Sequence, residues 1–139
     1  MVWPLLTTQM APIQALSQHF TDSEFRCHCG RVECNAPAPN PVLIQKLETL
    51  RNRINQPIVI NSGVRCAWYN AKVGGRPDSA HLTGDAADLW CVDSVLRWQL
   101  VANNFTNEPL FLRIGMDKTF IHVDVSTRHV PRVIWLYQD

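Results

Sequence analysis

The stretch Ser79-Ala-His81-Leu-Thr-Gly84-Asp-Ala86-Ala-Asp88-Leu-Trp90-Cys91-Val92 is the most informative in the chain. It sets a histidine seven residues before an aspartate, with a glycine between them. Gly84 permits a tight backbone reversal that folds the two side chains toward a common point. The following run, AADLWCV, is apolar enough to be a strand, and then Ala86, Asp88 and Trp90 share one face. A carboxylate in so apolar a strand needs a partner, and a metal ion is a good one.

A second stretch answers the first. In Phe120-Ile-His122-Val-Asp124-Val125, a strand turns Ile121, Val123 and Val125 to the core and Phe120, His122 and Asp124 to the other side. Two histidines and one carboxylate form a catalytic zinc set with a position left for water. His81, Asp88 and His122 are therefore the candidate ligands, and zinc there suits amide hydrolysis. Read singly, each histidine is more often a structural residue of a strand or loop than a ligand.

Working outward, Thr21 and Glu24 have the spacing of a capping box, which predicts a helical turn from Asp22. Asn40-Pro41 reads as N-cap and first helical residue. Leu43, Leu47, Leu50 and Ile54 follow at helical spacing on one face. The run PIVI after Gln56 reads as a short strand ended by Asn61-Ser62-Gly63. A short helix is expected over Ala67 to Lys72, stopped by Gly74-Gly75. Residues 76–92 read as loop, turn and strand. Asp93-Ser94 caps a helix to about Asn103, with Val95, Leu96, Trp98, Leu100 and Val101 partly buried. Residues 110–116 and 119–125 read as two strands joined by a turn at Asp117-Lys118. Helices first, then a mixture ending in strands, predicts an α+β fold: one domain with a small, mainly antiparallel sheet and helices packed on one side. Residues 1–18 form an N-terminal extension and residues 19–139 the domain.

Composition agrees with a packed domain. Of 139 residues, 46% are hydrophobic and 18% charged, which argues against disorder. The net charge is +1 and no Lys/Arg run stands out, so nucleic acid has little electrostatic footing. No apolar run is long enough for a membrane helix. The first twenty residues lack a basic n-region, and Pro4 and Thr7-Thr8 interrupt the apolar stretch, which reads against a secretory leader. Action outside the cytoplasm then requires release by another route, as in phage-type export; otherwise the protein is cytoplasmic.

Taken together, Ser79-x-His81-x-x-Gly84-x-Ala86-x-Asp88 followed by Phe-Ile-His122-Val-Asp resembles the zinc D-Ala-D-Ala carboxypeptidase family of peptidoglycan peptidases, relatives of the hedgehog signalling domain fold. Ser62-Gly63-Val-Arg65-Cys66, then Asn70 and Gly74-Gly75, match the same pattern, as does His19-Phe20-Thr-x-x-Glu24-Phe25. The resemblance runs from about residue 19 to 128. It implies one zinc on His81, Asp88 and His122, and cleavage of bonds involving D-amino acids in wall stem peptides, by a carboxypeptidase or an endopeptidase of bacterial or phage origin. It implies that Arg65 binds substrate or steadies an oxyanion, and that Ser79 lines the site. A guanidinium suits a terminal carboxylate or a developing oxyanion. Ser79 equally suits the cap of a turn.

One departure bears on catalysis. Many relatives carry an acid three residues before the last histidine, or a histidine two before it; here those positions are Thr119 and Phe120. The general base is then Asp117, from the turn, or Asp124, beside His122. The alternative to a zinc peptidase is a non-catalytic zinc module that binds wall peptide or a protein partner. A monomer is expected.

Five cysteines are present, an odd count that argues against a full disulfide framework. Cys27, Cys29, Cys34 and Cys66 have the count for a second, structural zinc, although a Cys-x-Cys pair is awkward on one ion. A disulfide or buried thiols are the alternatives. Cys91 reads as core. Trp68, Trp90, Trp98 and Trp135 include candidates for a cleft wall. His19, His28 and His129 read as not being ligands of the main site, and His129 as lying on a solvated loop.

Overall fold

The computed structural model describes residues 12–138. The first eleven residues of the N-terminal extension, and with them most of the stretch read against a leader, lie outside the described residues.

The local expectations near the N-terminal half hold for identifiable reasons. The Glu24 carboxylate accepts the Thr21 N–H at 2.7 Å and opens a 3-10 turn, Asp22–Phe25. Asn40 accepts the Val42 N–H and Pro41 opens α1 (Pro41–Ile54), which ends on Asn55 in the left-handed region. Leu43, Leu47 and Leu50 are buried on its inner face. The PIVI strand forms later than expected, as β1 (Ile60–Ser62). Then come α2 (Ala67–Lys72), a 3-10 turn (Ala80–Thr83) and β2 (Ala86–Trp90). α3 (Ser94–Asn104) starts on Asp93, whose carboxylate accepts the Leu96 N–H. β3 (Arg113–Met116), β4 (Phe120–Asp124) and β5 (Val133–Leu136) complete the fold.

The five strands lie in the order β1-β2-β4-β3-β5. All neighbours are antiparallel except β3 and β5, which are parallel. The sheet is thus mostly antiparallel and open, in a small α+β domain. One face, through Ala87, Leu89, Ile114, Ile121 and Val123, meets Leu43, Leu47 and Leu50 of α1 and Leu100 of α3 in a single core with Phe20, Phe25 and Phe111. The period of two along β2 and β4 sends Ala86, Asp88 and His122 to the opposite face, where α2 and the second 3-10 turn leave a cleft. Leu47→Ala is expected to lower stability by about 2–5 kcal/mol, since Leu47 is fully buried at the centre of this core; denaturant unfolding reads it.

One reading is corrected. Val95 and Trp98 are not partly buried but 67% and 73% exposed: α3 packs through Leu96, Leu100 and the side of Val101, leaving its outer face to solvent. The sheet also has a strand that the sequence did not announce, β5, an edge strand with Ile134 and Leu136 exposed. Among the described residues, no helix is long and apolar enough to cross a membrane.

Candidate metal centre

The site is a transverse row across the sheet. Ser62 of β1 lies opposite Asp88 of β2, Asp88 opposite His122 of β4, His122 opposite Gly115 of β3, and Gly115 opposite Trp135 of β5. His81 enters from the 3-10 turn before β2. Ser79 caps that turn by accepting the His81 N–H at 3.3 Å. Gly84 closes it at φ 76°, a conformation that disfavours other residues, with no room for a Cβ 2.3 Å from the Ala38 carbonyl oxygen. The Asn40 N–H donates to the Gly84 carbonyl and ties the turn to the start of α1.

His81, Asp88 and His122 converge, with one ligand atom from each within 4.8 Å of the others. Asp88 Oδ1 lies 3.2 Å from His81 Nε2 and 2.9 Å from His122 Nδ1. All three side chains are at most 7% exposed. The remaining ring nitrogens decide the chemistry. His81 Nδ1 is 2.6 Å from the Gly63 carbonyl oxygen, which only accepts, so Nδ1 carries the proton. In a neutral ring, Nε2 then turns a lone pair on the Asp88 carboxylate. His122 lies between two carboxylates, with Nδ1 on Asp88 and Nε2 2.8 Å from Asp124 Oδ2, and a neutral imidazole has one proton for both. Arg65 and Arg113 balance the two carboxylates from outside, but the atoms that face one another within the group are therefore short of a proton or cation. Extra protons on the rings or one cation among the three facing atoms supply it, and the donor set of two imidazoles and a carboxylate fits zinc.

The titration behaviour follows from the same contacts. Burial drives the Asp88 carboxyl upward, but hydrogen bonds and charge from His122 and His81 outweigh it and hold the group well below the carboxylate range. Burial drives His122 downward, and the Asp124 and Asp88 carboxylates outweigh it, so His122 is raised. Asp124, also desolvated, is lowered by His122 and Arg113.

Around the centre, a cleft of about 1000 Å³ is lined by Arg65, Ser79, Phe120, Trp135 and Tyr137 among others. Arg65 is held on three sides: Nε on Ser62 Oγ at 3.2 Å, Nη1 on Asn70 Oδ1 at 3.4 Å and Nη2 on Asp88 Oδ2 at 3.1 Å. Asn70 is itself fixed by donating to the Arg76 carbonyl. On the far side, Trp135 stands 5.3 Å from the His122 ring, centroid to centroid. Glycine at 115 makes that approach possible, because a Cβ there would meet Trp135 and Tyr137 at 2.7 and 2.6 Å. Burial, helped by the Asp88 charge, pushes the Tyr137 phenol up to about 12.

The two candidate bases separate. Asp124 lines the cleft, but its carboxylate takes His122 Nε2, Arg113 Nε at 2.9 and 3.1 Å, and the Ser126 N–H. Asp117 is not among the residues lining the cleft; its carboxylate is folded into the β3–β4 turn, accepting the N–H and hydroxyl of Thr119. His129 is corrected from a solvated loop to the cleft, held between Ser126 Oγ at 2.6 Å and Asp78 Oδ2 at 3.4 Å. His28 also lines the cleft. Of the four tryptophans considered, Trp135 alone lines it, while Trp68, Trp90 and Trp98 are exposed elsewhere. Sequence reasoning missed Asp78, Arg113 and Tyr137, which no motif marked. Cys91 is core, as expected.

Comparison with known proteins agrees with the geometry. The chain is 36% identical over 78 residues to a zinc D-Ala-D-Ala carboxypeptidase of Streptomyces albus G. That alignment covers 51% of this chain and 31% of the relative, so the chain spans about a third of that relative's length. A family model described as Peptidase M15 matches residues 18–124. With the match running from before the first 3-10 turn to the end of β4, the chain belongs to the peptidase M15 family.

Proposed function

We propose that the protein is a zinc peptidase acting on peptidoglycan stem peptides, with the ion held by His81 Nε2, Asp88 and His122 Nδ1. The observation that carries this is the buried His–Asp–His group whose facing atoms need a cation among them. When bound, zinc supplies Lewis acidity toward an amide carbonyl and toward the attacking water. The substrate class rests on membership of the peptidase family and on the name of the carboxypeptidase relative.

The chain's own residues supply the rest. Arg65 spends three of its directions on Ser62, Asn70 and Asp88, which fixes the guanidinium beside the centre. Its remaining donors suit a substrate carboxylate or a developing oxyanion. Phe120, Trp135 and Tyr137 form an apolar wall against which a peptide can lie, with the Tyr137 phenol kept protonated to donate. Asp124 is a positioning residue: it holds the His122 proton on Nε2 and so turns Nδ1 toward the metal. Ser79 acts through the turn that presents His81.

Asp124→Asn is expected to weaken zinc affinity about 10–100-fold, the usual effect of losing such a partner, measured by competition with a chromogenic chelator. Asp117→Asn is expected to leave zinc affinity and hydrolysis unchanged. The opposite pattern, with Asp117→Asn inactive at full zinc content, would return the base role to Asp117.

Digestion of muropeptides with mass-spectrometric product analysis tests the function. Release of terminal D-Ala indicates a carboxypeptidase, internal cleavage an endopeptidase. The non-catalytic reading draws support from Thr119, which stands where many relatives carry an acid. A zinc-loaded chain that cuts no wall peptide would establish that reading instead.

A further inference from the structure

We propose that Cys27, Cys29, Cys34 and Cys66 hold a second, structural zinc ion, separate from the His–Asp–His centre, that fastens the loop 26–34 to the segment carrying Arg65. The four sulfurs come together from positions up to 39 residues apart in sequence, all within 4.8 Å of one another. Four thiolates at Zn–S of about 2.3 Å define a tetrahedron with S···S edges of roughly 3.8 Å. The Cys27 and Cys66 sulfurs are 3.7 Å apart. A disulfide, at about 2.05 Å, joins two sulfurs and gives the other pair no reason to gather on them.

The Cys-x-Cys pair, awkward on paper, is accommodated by the backbone. A turn at His28–Cys29 and Gly30 at φ 66° bring the chain back on itself, so that the Arg31 N–H points at Cys29 Sγ from 3.4 Å. The Cys66 N–H donates to Cys27 Sγ at 3.3 Å, and the Tyr69 N–H to Cys66 Sγ at 3.4 Å. Three of the four sulfurs thus receive backbone N–H donors, contacts of the kind that orient the ligands of a metal ion.

The loop also buries no core of its own. From Arg26 to Asn35 every residue is exposed except Cys27 and Cys29, and Val32 is wholly in solvent. The segment has no helix or strand, and its side-chain contacts outside the sulfurs are Arg31 over the Trp68 ring, His28 edge-on to Tyr69 and the exposed Arg26–Asp22 ion pair. A polar loop without a core is the setting in which a bound metal supplies the folding energy. Cys91, in the core of the sheet, is the unpaired fifth thiol. Because Cys66 follows Arg65 and caps α2, the ion would anchor the cleft wall that carries Arg65 and Asn70.

Elemental analysis of the 139-residue chain, purified reduced and with zinc supplied, is expected to give two zinc ions per chain. Cys34→Ser and Cys27→Ser are each expected to lose one and keep the other, and His81→Ala to lose the other. Cobalt substitution separates the sites without relying on folding of the cysteine variants. A strong near-ultraviolet thiolate-to-cobalt charge-transfer band is expected in wild type and in His81→Ala, and none in Cys34→Ser. A wild-type chain with one zinc and no such band overturns the proposal. So does thiol mapping that finds a Cys27–Cys66 disulfide in the zinc-replete protein. Failure of the catalytic-site assignment reads differently, as a chain that keeps the charge-transfer band and loses no zinc in His81→Ala.

Discussion

On the proposed zinc-peptidase reading, Asp88→Ala is expected to remove the zinc and to lower stem-peptide hydrolysis by on the order of 10³-fold or more, the rate equivalent of several kcal/mol of Lewis-acid stabilisation. Asp88 is the hinge of the site. Its Oδ1 faces both imidazoles and its Oδ2 holds Arg65, so one substitution takes the anion from all three neighbours. Asp88→Asn is expected to fail similarly, because an amide keeps the shape and loses the charge that the cation requires. Zinc content and steady-state hydrolysis, measured on the same preparation, separate metal loss from misfolding. A thermal transition should persist in both variants, since the core on the other face of the sheet is untouched. An Asp88→Ala chain with wild-type zinc content and rate would remove these three residues from the chemistry.

Arg65→Ala is expected to lower kcat by about 10²–10³-fold, the usual effect of removing a preorganised oxyanion donor. The split between constants tells which role it plays. A fall in kcat at constant KM means a contact made in the transition state; a rise in KM at constant kcat means capture of a substrate carboxylate. Arg65→Lys should not restore activity. An ammonium cannot span Ser62 Oγ, Asn70 Oδ1 and Asp88 Oδ2 as the planar guanidinium does. Zinc content is the control: retained metal with lost rate is the expected pattern. Wild-type kcat and KM in Arg65→Ala would reduce Arg65 to a structural brace.

The parts of this molecule legible in its sequence are those whose cause is local. The Asn40-Pro41 start of α1, the Thr21–Glu24 box and the Asp93 cap each depend on hydrogen bonds within a few residues, and each formed. The facing of β4 followed from the period of two. His81, Asp88 and His122 could be picked out because Gly84 marks a reversal and because charged or titratable side chains in apolar strands need partners. What was not legible depends on pairing across long separations. β5 is four apolar residues, VIWL, whose strand form comes from lying parallel to β3, and its residues alone carry no turn or alternation signal. Trp135 reaches His122 because Gly115 on the neighbouring strand has no side chain, a relation visible only in the register. The closing of four cysteines on one point is of the same kind: spacing argued against it, and the left-handed Gly30 with the return of Cys66 made it possible. Asp117 and Asp124 looked equivalent as carboxylates near His122, and the fold separates them, folding one into its own turn and placing the other behind the imidazole.

On the reading proposed above, His81, Asp88 and His122 hold a catalytic zinc. The most direct measurement is X-ray anomalous scattering at the zinc edge from crystals of the full chain grown with zinc. A peak is expected about 2.0–2.2 Å from His81 Nε2, His122 Nδ1 and an Asp88 carboxylate oxygen. A map from such crystals with no peak among those three atoms would contradict it.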